Sequence, residues 1–229
     1  MIEIIFFSLI SNSVFYSYGH LIKIEKFHNK ISSINNRAII GCIFISFIAL
    51  LVNFIIPLDK LFNTIILLIG ILLLILNKKK LKKKEVFYLF LSSLITASLI
   101  LYSNVYRPDA GLYHLSYVSF LNENKIIFGL SNVHFRFGAI SIMQYLSAIN
   151  NNFLFNDIGI VIPLASIVSF FIIHFFNNVL NILKKNKTTT LANIFSLFII
   201  IFISYKMNRY SEYGNDAVAH SSYFYLISR

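Results

Sequence analysis

Apolar residues in this chain fall into long blocks separated by short polar punctuation, and the blocks recur at helical length. They cover residues 2–19, 38–56, 61–77, 86–103, 157–181 and 188–205, and a seventh opens near Ala217. Each of the six is about long enough to cross a hydrocarbon core of roughly 30 Å as a helix. The first is diluted by Glu3 and by serines, but it has neither the basic flank nor the small-residue cleavage pattern of a signal peptide. The pattern predicts an all-α, polytopic transmembrane helical bundle of about six to seven spans. It reads as one membrane domain over residues 1–229, the N-terminal part of a longer protein, since the seventh block stops at "YLISR".

Composition agrees with that pattern. The chain is 57% hydrophobic with a mean hydropathy of +0.74, above the usual range of soluble domains. Its wealth of Ile, Asn, Lys and Phe is that of an AT-rich bacterial genome, so single lysines and asparagines carry little functional weight. The net charge of +11 raises the question of nucleic acid, but no basic soluble domain is present. Thirteen of the twenty Lys and Arg residues lie in three segments, 20–37, 78–84 and 182–187. These alternate with the less basic segments 57–60, 104–156 and 206–216. By the positive-inside rule the basic segments face the cytoplasm and the N-terminus is extracytoplasmic, in a bacterial cytoplasmic (inner) membrane. Cys42 is the only cysteine, which excludes an internal disulfide and thiolate metal sites.

That orientation puts nearly all the candidate chemistry on the outer side. Residues 104–156 are long for a connector and read as an extracytoplasmic loop with interfacial helices. Pro108 suits a first helical position, and Asp109 falls in the first turn, where the helix dipole favours a carboxylate. A helix is expected over 108–122, with Leu112, Leu115 and Ser119 on one face and Tyr113 and Tyr117 on another. In "GLSNVHFRFG" the two-residue spacing of His134 and Arg136 suits an extended stretch with both on one side. The next segment, "AISIMQYLSAI", predicts a helix too short to span. Further on, "SEYGNDAVAH" offers Glu212 ahead of a Gly214 turn, with Asp216 and His220 one helical turn apart.

Taken singly, these residues have structural explanations. An aspartate in a first turn caps a helix, an interfacial arginine grips lipid phosphate, and tyrosines form the membrane-border belt. His174, midway along the fifth block, reads as a helix-packing residue. Taken together, the clustering of Asp109, His114, His134, Arg136 and Arg107 in a chain with nine acidic residues points to a site. No phosphate-binding glycine loop, zinc-protease helix or serine-hydrolase elbow occurs.

The segments "DAGLYH" and "GLSNVHFRFG", followed by "SEYGNDAVAH", resemble the motifs of an uncharacterised family of bacterial polytopic membrane proteins. Its pattern is Asp-x-Gly-Leu-Tyr-His, then Gly-Leu-x-Asn-x-His-x-Arg-x-Gly, then Ser-Glu-x-Gly-x-Asp-x-x-x-His. That family distantly resembles the GT-C glycosyltransferases, which transfer a sugar from a polyprenyl-phosphate donor. The resemblance implies Asp109 as the catalytic carboxylate, a general base or metal support. It implies Arg107, His114, His134 and Arg136 as substrate-binding candidates, with Glu212, Asp216 and His220 on the opposite wall. The implied partners are a lipid-linked sugar donor, a glycan or lipid acceptor and membrane lipids, with no nucleic acid. The only cofactor implied is a divalent cation. Two other readings fit the same sequence: a polysaccharide polymerase or lipid-linked-glycan transporter, and a non-catalytic membrane subunit.

Overall fold

The computed structural model describes residues 1–22, 34–78, 81–102, 109–138, 141–182 and 190–228. Arg107 therefore lies outside the described residues. Every regular element among the described residues is helical, with no strand: α1 (Ile2–Gly19), α2 (Ile34–Asn53), α3 (Lys60–Leu76), α4 (Lys83–Tyr102), α5 (Leu115–Glu123), α6 (Ile142–Ile149), α7 (Ile158–Ile182), α8 (Leu191–Tyr205), the short α9 (Met207–Tyr210) and α10 (Asn215–Ile227). Three of these, α2, α4 and α7, are long and apolar enough to cross a membrane, and α3 and α8 are shorter apolar helices.

The serines that dilute the first apolar block have a structural reason. Helix α1 is central, packing on α2, α3, α4 and α7, and its polar groups link helices. Ser17 donates to the Gly70 carbonyl at 2.8 Å and Asn12 donates to Ser92 at 3.0 Å. Small residues let the backbones approach. A Cβ on Gly41 would fall 1.8 Å from the Phe15 carbonyl oxygen, and one on Gly19 would fall 1.9 Å from that of Arg37. No larger side chain fits this antiparallel α1–α2 contact.

The less basic segments gather at one end. Leu58 donates its backbone N–H to Leu121, and Ile126 donates to Asn53, both at 2.9 Å. Asn63 donates to the Leu58, Ala148 and Asn151 carbonyls, and Asn122 donates to Leu58 and Ala148. Asparagines attributable to genome bias thus tie the α2–α3 turn to the α5–α6 region. At the opposite end Arg37 lies 3.8 Å from Glu85.

Pro163 lies inside α7. A proline has no N–H for the carbonyl four residues earlier, which here is that of Gly159. The Asn150 amide donates to this carbonyl at 2.8 Å, and its own oxygen accepts from Ser11 at 3.2 Å. One side chain thereby repairs the helix and joins it to α1.

One local expectation is corrected. The stretch holding His134 and Arg136 is not extended but forms 3₁₀ turns, Leu130–Asn132 and Phe135–Gly138. The Arg136 N–H closes back on His134 Nδ1 at 3.3 Å, so a local hydrogen bond replaces strand geometry. On the segment after Asp109, Tyr117 and Val118 are buried while Leu112 is 65% exposed. This is the division of faces expected from the spacing, and a π-helical turn at Ala110–His114 leads into α5.

Candidate functional site

Asp109 stands immediately before the π turn and makes no capping hydrogen bond. It therefore does not cap by a hydrogen bond, and what remains of its structural role is the favourable helix dipole at this position. The carboxylate is exposed and lines a mouth of about 50 Å³ together with Tyr113, His114, Arg209, Glu212 and Asp216. Residues about a hundred positions apart meet here because the Ser211–Gly214 turn, which leads into α10, folds over the π turn. Gly214 is the contact point: a Cβ there would stand 3.7 Å from His114 Nε2.

His114 is buried, and its orientation is set through α6. Ser141 and Gln144 form a capping box in which Gln144 Oε1 accepts the Ser141 N–H at 3.1 Å. That fixes the amide, so Gln144 Nε2 faces His114 Nδ1 at 3.2 Å as a donor. In the neutral imidazole the proton is then on Nε2, the nitrogen against the Gly214 turn. Burial holds the His114 pKa below its ordinary value. The Asp109 and Asp216 carboxylates oppose that shift, and Arg136 adds to it.

Tyr113 joins the mouth to the 3₁₀ turns. Arg136 donates to its hydroxyl at 3.3 Å and lies 4.7 Å from its ring centre. The Tyr113 pKa is raised first by burial and then by Asp109, with Arg136 opposing. Tyr213, in the turn itself, is half-buried, and desolvation pushes its pKa up to about 12.

Next to the mouth lies an apolar cavity of about 120 Å³. Helices α4 and α10 both pack on α7, and the cavity is lined by Ile100 of α4, Val161 and Ala165 of α7 and Val218 of α10. Glu212, Tyr213, Gly214 and Ala217 line both the cavity and the mouth. The pair makes one amphipathic cleft.

The sequence candidates thus divide. Asp109, His114, Glu212 and Asp216 converge, whereas His134 stacks on Phe135, Arg136 lies over Tyr113 and Phe135, and His220 packs against Tyr210. Asp216 and His220 do lie one turn apart on α10, yet only Asp216 faces the mouth. His174 is a packing residue between α7 and α10, bonded to Ser228 and edge-on to Tyr225. Sequence reading missed Arg209, Gln144 and Tyr213. The Ser-x-x-Gln capping pattern was available as a signal for Gln144; Arg209 had none. Among the described residues no group of three or more His, Cys, Asp or Glu side chains is placed to hold a metal ion. The divalent cation therefore has no fitting ligand set there.

A family model for a domain of unknown function, DUF8201, matches residues 1–226. The chain belongs to this family. No curated protein and no solved structure matches it. In this DUF8201 protein the matched region takes in every residue of the cleft.

Proposed function

We propose that this DUF8201 protein is a membrane-embedded glycosyltransferase of GT-C type that uses a polyprenyl-phosphate sugar donor on the extracytoplasmic side, in cell-surface glycan assembly. The observation that carries the reading is the joining of a carboxylate-lined mouth to an apolar cavity between α4, α7 and α10. A donor with a hydrocarbon tail and a charged head needs both environments side by side. The topology proposed with it has six spans and the start of a seventh, with the N-terminus outside. The gathering of the less basic segments at one end supports that orientation.

In this reading Asp109 is the general base. It accepts the proton of an acceptor hydroxyl as that oxygen bonds to the anomeric carbon. The bond from that carbon to the donor phosphate oxygen breaks, and the phosphate leaves with the electron pair. His114 Nε2–H, held by Gln144, is placed to donate a hydrogen bond at the mouth.

The test is a deletion strain rescued with the full-length gene, either wild type or Asp109→Asn, at matched protein level. Wild type should restore the surface-glycan profile and Asp109→Asn should not. Full rescue by Asp109→Asn would refute the catalytic assignment. Transfer from a polyprenyl-phosphate sugar by purified protein then separates a transferase from a transporter.

A further inference from the structure

Arg209 belongs to two hollows at once. On one side it lines the mouth, where its guanidinium donates to Asp216 at 2.9 Å. On the other it lines a surface hollow with Tyr205, Lys206 and Asn208. This second hollow is larger, about 400 Å³ against about 50 Å³, so it has the room for an added group. It holds two cations and an amide and no carboxylate.

The position of the hollow suits a lipid phosphate. Helix α8 leaves Phe198, Ile201, Phe202 and Tyr205 exposed, and Lys206 follows directly. A cation just past an apolar, exposed helix face sits at headgroup level. The Arg209–Asp216 pair is itself exposed, at 46% and 72% of the two side chains. Exposed pairs of this kind contribute little. A phosphate offers arginine two parallel charge-assisted hydrogen bonds and competes well with such a pair. Lys206 lies over the Tyr205 ring at 5.0 Å, whereas Arg136 is held by two rings and by the Tyr113 hydroxyl and is the less available cation.

We propose that Lys206, Asn208 and Arg209 form a phosphate-binding site, and that its occupation draws Arg209 away from Asp216. Asp216 then turns to the mouth without its cation, beside Asp109 and His114. The site does not depend on glycosyl transfer. A lipid-linked phosphate and free phosphate present the same chemistry to it.

The test uses purified full-length protein in phosphatidylcholine nanodiscs. Phosphatidylglycerol or a polyprenyl phosphate is doped into the discs and retained lipid is counted by native mass spectrometry; inorganic phosphate is titrated as the free-anion arm. Arg209→Gln should weaken binding about tenfold or more, and Arg209→Lys should keep part of it. Asp216→Asn should strengthen binding up to about fivefold in the wild-type background, with no gain in the Arg209→Gln background. Retention of either doped lipid supports the site, and the preferred one names the source. Displacement of lipid by inorganic phosphate supports it with the headgroup alone as ligand. Undiminished binding in Arg209→Gln overturns the proposal, as does an equal Asp216→Asn gain in both backgrounds. Unchanged thermal unfolding of the variants certifies their fold. A failure of Asp109→Asn to abolish transfer would refute the catalytic assignment of Asp109, and absence of any transfer by wild type would refute the enzyme reading; either leaves this site standing.

Discussion

Gln144 holds His114 by its Nδ1 across 3.2 Å, thirty residues away in sequence. The capping box that starts α6 orients Gln144, so a local helix-start signal determines which imidazole nitrogen carries the proton at the mouth. Replacing Gln144 by Glu should reverse this arrangement. A carboxylate opposite Nδ1 favours the imidazolium, so the His114 pKa, now lowered by burial, should rise. Histidine-selective NMR titration of wild type and Gln144→Glu checks it; an unmoved His114 would refute the link.

The same lowering predicts acid sensitivity. Below the ordinary histidine value of 6.5, the unfolded chain takes up this proton more readily than the folded one. Stability is therefore complete above that value and is lost as pH falls through and below it. His114→Gln should flatten this part of the curve. Thermal unfolding in detergent between about pH 7.5 and 5, around that ordinary histidine value, is the measurement.

Asn150 substitutes for the hydrogen bond that Pro163 withholds from Gly159. Asn150→Ala should cost about 1–3 kcal/mol, because it leaves a buried carbonyl unpaired. Pro163→Ala should recover part of that loss, since a restored N–H can reach the Gly159 carbonyl. Unfolding midpoints of the two single variants and the double variant decide it; independent, additive effects would show that the two residues are not coupled.

Two glycines should respond oppositely to alanine. At Gly41 the new methyl meets the Phe15 carbonyl at 1.8 Å, and α1 and α2 must separate. Overpacking of this kind costs about 1–3 kcal/mol. At Gly111 nothing lies within 4 Å, so Gly111→Ala should leave the unfolding midpoint nearly unchanged.

Activity should follow membership of the mouth. Asp109→Asn is expected to lower transfer about a hundredfold or more. His134→Phe and His220→Phe should retain it, since those rings pack on Phe135 and Tyr210 outside the mouth. Glycan rescue by each variant is the assay, and loss in His220→Phe would extend the site along α10.

The apolar blocks by themselves determined where the helices run, because only a helix satisfies its own backbone over so long an apolar stretch. Blocks 2–19, 61–77 and 157–181 meet α1, α3 and α7 within a residue at each end. The Asp109 and Glu212–Asp216 segments were also legible, since charge is scarce in this chain. Tertiary structure alone decided which of those charges meet. Arg136 had the better sequence pattern, yet aromatic rings cover it, while Arg209 reaches the mouth through a seven-residue turn back to Asp216. Side-chain direction there depends on a π turn and on how α4 and α10 pack against α7. Those contacts join residues a hundred positions apart, beyond any local pattern of apolar and polar positions.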